Sequence, residues 1–252
     1  MQSLLSKKVT VITGCNRGIG KSILIKFAEQ GSKIFACTRQ EDKAFSDFCS
    51  EISKKYQTKI HNIFFDLNKV DEMKKAASKI KELSEKVDIL INNAGIIQTS
   101  LFQMTKIEDL RKIFEVNFFS PFLFSQYIVK LMIKNKTQSS IINISSSAAI
   151  EANQGRSAYA SSKSALITLS KVMSKELSNF NIRVNAIAPG LTNTDMMKKS
   201  TSEKYLKETI NRISLKRIAE PEEVANTALF LASDLSSYIN GQVIRVDGGL
   251  HE

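Results

Sequence analysis

Short apolar runs alternate with longer amphipathic segments along the whole 252-residue chain. This rhythm restricts the possible folds more than any other feature. Residues 8–13, 33–38, 60–65, 89–92, 140–144, 183–188 and 242–246 have the length and β-branched character of strands. Between them, residues 20–30, 42–55, 70–85, 107–134, 158–177 and 221–232 carry helical periodicity. Strands alternating with helices of this length make βαβ units, hence a parallel sheet. The nearly unbroken apolar run Val9, Thr10, Val11, Ile12 suits a strand covered on both faces. With three prolines and no Gly/Ser-rich linker, nothing marks a boundary. The expectation is one α/β domain over residues 1–252, a doubly wound parallel sheet of about seven strands with helices on both faces.

Residues 191–215 interrupt the rhythm: they are polar and Lys-rich, contain Met196 and Met197, and follow a Pro189-Gly190 turn. The expectation is a mobile loop over a substrate cleft, against a plain surface excursion.

The net charge of +11 raises the question of a nucleic-acid partner. Its 28 Lys and 8 Arg are spread along the chain, however, and Lys74, Lys75, Lys79, Lys81 and Lys86 interleave with Glu72, Glu82 and Glu85 as on a solvated helix face. No nucleic-acid partner is expected; an acidic protein or a phosphate-bearing ligand fits the charge better. No stretch approaches the roughly 20 apolar residues of a membrane span, so no membrane association is expected. Cys15, Cys37 and Cys49 are odd in number with no Cys-x-x-Cys, which points to a reducing, cytoplasmic setting without disulfides. The only histidines, His61 and His251, leave no material for a His-based metal site or a Ser-His-Asp triad.

The first strand runs into Thr13-Gly-Cys-Asn-Arg-Gly-Ile-Gly20 and then a helix. Gly14, Gly18 and Gly20 permit a tight turn and leave helix amides aimed at an anion, with Asn16, Arg17 and Ile19 between them. The spacing differs from Gly-x-Gly-x-x-Gly, and such a turn also serves as a plain connection. Its place on the first βα unit favours dinucleotide binding. The second strand ends in Cys37-Thr38-Arg39 with no acid before Glu41. Where a ribose 2′-hydroxyl is usually bound by an acid, Arg39 and Arg17 offer planar donors to a 2′-phosphate, favouring NADPH/NADP over NAD. Asp66-Leu67 and Asn92-Asn93-Ala94-Gly95 stand at the ends of the third and fourth strands, where open α/β sheets bind ligands.

Tyr159 and Lys163 are four apart in a helical segment and share a face. An adjacent ammonium lowers a phenol toward the working range for proton transfer. Ser146, thirteen residues before Tyr159, can donate to a substrate oxygen. Asn117 is a polar interruption of a long apolar helix and needs a buried partner, for which a water bridging to Lys163 is the expectation.

Together these residues resemble the short-chain dehydrogenase/reductase family over essentially the whole chain. The matches are Thr13-Gly-x-x-x-Gly-x-Gly20, Asp66, Asn92-Asn-Ala-Gly95, Asn117, Ser146, Tyr159-x-x-x-Lys163 and Pro189-Gly190 with Thr194. The ending, Arg217 to Ala225 with Tyr238-Ile-Asn-Gly241 and Asp247-Gly-Gly249, is most similar to the 3-oxoacyl-[acyl-carrier-protein] reductases. The resemblance implies a Rossmann-type sheet, usually a homotetramer, and NADPH-dependent reduction of a 3-oxoacyl thioester carried by an acidic acyl carrier protein. Relatives with the same ending reduce sugars, small ketones and other secondary alcohols. In the family's mechanism Tyr159 donates the proton, Lys163 binds the nicotinamide ribose and tunes Tyr159, Ser146 holds the carbonyl and Asn117 anchors a relay water. Gly14 to Gly20, Arg39, Asp66, Leu67, Asn93, Ala94, Gly95, Pro189, Gly190, Thr192 and Thr194 line the coenzyme. Where carrier-protein reductases present arginines at the mouth, this chain has Thr137 and Phe180, with Lys134, Lys136 and Lys175 nearby in sequence.

Overall fold

The computed structural model describes residues 3–84, 86–134 and 137–251. Strands β1 (Val9–Thr13), β2 (Lys33–Thr38), β3 (Ile60–Phe64), β4 (Ile89–Asn92), β5 (Ser139–Ile144), β6 (Ile182–Pro189) and β7 (Val243–Val246) form one sheet in the order β3-β2-β1-β4-β5-β6-β7. Every neighbouring pair is parallel. The helices are α1 (Gly18–Glu29), α2 (Lys43–Tyr56), α3 (Val70–Leu83), α4 (Ile107–Phe114), α5 (Ser120–Lys134), α6 (Ala148–Glu151), α7 (Ser157–Glu176), α8 (Asp195–Ser200), α9 (Glu203–Arg212) and α10 (Pro221–Ala232).

The two-residue period of the strands sorts their apolar side chains into two cores. Ile12, Ile89, Ile91, Ile142 and Ile144 meet Ile23, Leu24 and Phe27 of α1 and Val224 and Leu231 of α10 on one face. Val9, Val11, Leu90 and Ile141 meet Met73 and Ile80 of α3 and Phe124, Ile128 and Met132 of α5 on the other. Such side chains are worth about 1.5–3 kcal/mol each when fully buried.

Two expectations need correction. Helix 107–134 is continuous over 28 residues and, by length and composition alone, apolar enough to cross a membrane. Its apolar excess comes from the row that α5 sets against the sheet, where Phe124, Ile128 and Met132 are buried. Residues 191–215 are not an irregular loop: Thr194 and Ser202 N-cap α8 and α9 by accepting from the amides of Met197 and Tyr205. Helices of six and ten residues this polar and Lys-rich bury almost nothing of their own, only Met197 and Thr209, so neither stands out in sequence.

The strand order reverses between β1 and β4, opening a crevice beyond their C-terminal ends. The neighbouring β5 and β6 end beside it, so the turns that carry the glycines, Asn93, Ser146 and Pro189 all converge there.

Candidate active site

A cleft of about 520 Å³ runs across the C-terminal ends of the strands. At one end the turn after β1 is held by β4. Asn93 Nδ2 donates to the carbonyls of Thr13 (3.0 Å) and Gly14 (2.8 Å), and Thr13 Oγ1 accepts from the amides of Asn93 and Ala94. Gly14 has φ +66°, and a Cβ there would lie 2.8 Å from Ala94 Cα. At Gly20 a Cβ would overlap the Gly14 carbonyl and the Asn93 amide. Only glycine fits either place. Arg17, the N-cap of α1, gives no side-chain cap, so the first-turn amides keep their pull on an anion.

The sequence-derived coenzyme residues line this cleft: Gly14, Asn16, Arg17, Gly18, Ile19 and Gly20 from the first turn, Arg39 from β2, Asp66 and Leu67 after β3, and Asn93, Ala94 and Gly95 after β4. Pro189, Gly190, Thr192 and Thr194 close its far wall. Arg17 and Arg39 are both exposed, and neither is in an ion pair among the described residues. Asp66 Oδ1 accepts from both the backbone and the side chain of Asn68, fixing its carboxylate at the rim.

Tyr159 and Lys163, one turn apart on α7, line the floor and are nearly buried, at 8% and 4% exposed. Lys163 Nζ donates to the Ile144 carbonyl at 2.8 Å, and burial lowers its pKa to about 8. Ser146 stands beside the Tyr159 phenol and favours its ionised form, and Ser146 Oγ accepts from the Ala148 amide at 3.2 Å. Asn117 lies in a π-helical turn, Glu115–Phe119, the kind of insertion that recurs at functional sites. Its Oδ1 accepts from the Ile96 amide (2.9 Å) and its Nδ2 donates to Ile96 O and Ser162 Oγ (3.0 Å each). A Cβ on Gly95 would stand 3.2 Å from Asn117 Oδ1 and 3.3 Å from Lys163 Nζ, so the two side chains flank one small space.

Asn117 is buried, as its sequence setting implies, with its amide bonded to Ile96 and Ser162. One expectation needs correction: the phenol of Tyr159 is raised, not lowered, because burial dominates while Ser146 and the charge of Arg156 act against it.

Sequence reasoning missed Arg156 altogether. It is three residues before Tyr159, a spacing that puts both on one helix face, and that was the available signal. Arg156 is 8% exposed and lines the cleft together with Asn153 and Tyr205, whose hydroxyl accepts from Asn153 Nδ2 at 2.9 Å. Met196, Met197, Ile96 and Ile97 supply the apolar part of this end. Arg212, at the end of α9, and Arg245 of β7 both pair with the carboxylate of Glu151, anchoring α9 beside the cleft.

A glycine cradle for an anion and the buried Tyr159 and Lys163 thus share one cleft. The family model described as enoyl-(acyl carrier protein) reductase matches residues 14–251. The chain belongs to the short-chain dehydrogenase/reductase family. It is an oxidoreductase of that family, with a Rossmann-type fold. The short-chain reductase is 38% identical to the 3-oxoacyl-[acyl-carrier-protein] reductase FabG of Aquifex aeolicus, over 99% of this chain and 100% of that protein. It is also 38% identical to a 3α-hydroxysteroid dehydrogenase of Mediterraneibacter gnavus, over 98% of both. Among solved structures it superposes on a putative NAD(P)-dependent gluconate 5-dehydrogenase from Beutenbergia cavernae with bound NADP, at TM-score 0.91 and 28% identity over 99% of each chain. Lys136, expected near the mouth, lies outside the described residues, whereas Lys134 and Phe180 are exposed.

Proposed function

We propose that this enzyme reduces a 3-oxoacyl thioester to the 3-hydroxyacyl form with NADPH. The observation that carries the chemistry is the pair of buried side chains Tyr159 and Lys163, one helical turn apart on the floor of the cleft that also holds the glycine cradle, with Ser146 acting on the phenol. A phenol raised by burial is protonated at neutral pH and serves as the acid of a reduction. Ser146 orients the substrate carbonyl against Tyr159, which donates its proton as the oxygen gains negative charge. Lys163 and Asn117 hold the floor from behind, and Lys163, the titratable group of the two, returns the proton that Tyr159 gives up. The glycine cradle fits a dinucleotide pyrophosphate, because its walls admit no Cβ and its helix amides carry no cap. Arg17 and Arg39 would receive a 2′-phosphate, and Asp66 with Leu67 the base. Gly95, Lys163 and the wall from Pro189 to Thr194 would seat the ribose and nicotinamide. A nicotinamide coenzyme supplies the hydride.

The thioester assignment follows the likeness to the Aquifex aeolicus reductase. The second reading, a hydroxysteroid or other bulky secondary alcohol, is favoured by the apolar methionines Met196 and Met197 at the substrate end. Turnover of acetoacetyl thioesters, alone and on acyl carrier protein, against a panel of steroids, sugars and simple ketones separates the two. Preference for a steroid or sugar overturns the first. The helical cover formed by α8 and α9 acts as the substrate lid. Three buried free thiols, Cys15, Cys37 and Cys49, support a cytoplasmic setting. Exposed Phe119, Phe122, Val172 and Phe180 support a homotetramer. Sedimentation as a monomer at micromolar concentration would contradict that assembly.

A further inference from the structure

Arg156 presents a problem that the reaction as described leaves unsolved. The residue is only 8% exposed, yet it pairs with no carboxylate among the described residues. Burial lowers its pKa, as expected for a cation taken out of water with no counter-charge. Nη1 donates to Thr99 Oγ1 at 2.6 Å and Nη2 to the Ser200 carbonyl at 2.8 Å. A guanidinium carries five N–H donors in a rigid fork, so these two bonds orient it without exhausting it. The backbone fixes it as well: Ser100 bridges to Arg156, and the Ser100 amide donates to the Gly155 carbonyl at 3.0 Å. The charge is therefore held in place, on the wall of the cleft, facing Tyr159 and Tyr205.

Such a cation is costly to keep unless something in the working complex accepts from it. The nearest cleft neighbours are hydroxyls and amides of Asn153, Ser200 and Tyr205, which do not neutralise charge. The glycine cradle that takes the coenzyme phosphates is a separate wall of the cleft, on β1 and α1. The acceptor thus belongs to the substrate, and it lies close to the carbonyl that Tyr159 protonates.

We propose that Arg156 is a specificity residue that binds a second acceptor oxygen of the substrate, set two carbons from the reacting carbonyl. A 1,3-dicarbonyl compound meets that requirement; a simple ketone or an isolated secondary alcohol does not. The inference rests on the reductase reading above and adds to it the substrate feature that the site selects. Two sources supply the same chemistry, the carbonyl of a 3-oxoacyl thioester and the carboxylate of a free 3-oxo acid. The formal charge of the guanidinium serves both, and the experiment separates them.

The test measures kcat/KM with saturating NADPH for wild type, Arg156→Ala, Arg156→Gln and Arg156→Lys. The substrates are the acetoacetyl thioester of N-acetylcysteamine, acetoacetate, and a methyl ketone of matched length without a second oxygen. Arg156 also anchors Thr99 and Ser200, so every variant is expected to lose some activity on all substrates. The ratio of dicarbonyl to ketone turnover is the readout that a purely structural role would not move. That ratio should fall at least tenfold in Arg156→Ala, a loss in line with one hydrogen bond from a charged donor. Arg156→Lys should recover part of it, and Arg156→Gln less. Preference for thioester over acetoacetate in wild type assigns the oxygen to the thioester, and the reverse assigns it to a carboxylate. Equal losses on ketone and dicarbonyl would overturn the inference while leaving the reductase reading intact. A wild-type enzyme that turns over the ketone but neither dicarbonyl would overturn both.

Discussion

Lys163 Nζ donates a 2.8 Å hydrogen bond to the carbonyl of Ile144 from a position only 4% exposed to solvent. Burial brings its pKa down from 10.5 to about 8. Between these values the unfolded chain holds more protons than the native one, so stability rises with pH across that window. Below about pH 8 both states are charged and the burial cost is borne in full; above about pH 10.5 it has vanished. Lys163→Met lacks this titration. The unfolding free energy of wild type relative to Lys163→Met should therefore increase by about 2 kcal/mol from roughly pH 7 to roughly pH 9.5. Denaturant titrations of both proteins at the two pH values check it. A difference that does not change with pH would show that Lys163 titrates in the native state as it does in water.

Arg17 and Arg39 stand at the coenzyme end of the cleft without acidic partners among the described residues. NADPH should bind at least tenfold more tightly than NADH, a difference of about 1.4 kcal/mol. Replacing both arginines with alanine should erase the preference and leave NADH affinity nearly unchanged. Fluorescence titration with each coenzyme measures it, and equal affinities in the unmodified protein would defeat the assignment.

The charge of +11 and the exposed Lys134 point to electrostatic docking of an acidic carrier. Added salt should then raise KM for a carrier-bound 3-oxoacyl substrate more steeply than for a small thioester, because screening acts on the protein–protein encounter. Identical salt responses would leave the surface charge without a docking role.

The sequence made the sheet legible because its central strands, such as β1, β2 and β4, are buried on both faces and are largely apolar. The coenzyme turn was equally plain, since Gly14 and Gly20 occupy places that admit no side chain. What stayed hidden depended on tertiary contacts. Helices α8 and α9 are short and polar, bury few side chains of their own, and are held by caps and by pairs such as Arg212–Glu151. The direction of the Tyr159 shift was misjudged because a four-residue spacing reveals shared faces but not burial, and burial outweighs charge here. Arg156 escaped notice for a similar reason: only the fold shows that this arginine is enclosed and has no acid beside it.

The proton transfer itself is the central claim, and Tyr159→Phe addresses it most directly. The substitution removes one hydroxyl and preserves the ring packed into the floor of the cleft. Fold and coenzyme affinity should survive. General acid catalysis is worth roughly 10² to 10⁴ in rate, so single-turnover oxidation of bound NADPH by a substrate of the wild-type enzyme should slow by at least a hundredfold in the variant. A Tyr159→Phe enzyme that binds NADPH normally and reduces the same substrate within threefold of the wild-type rate would contradict the account.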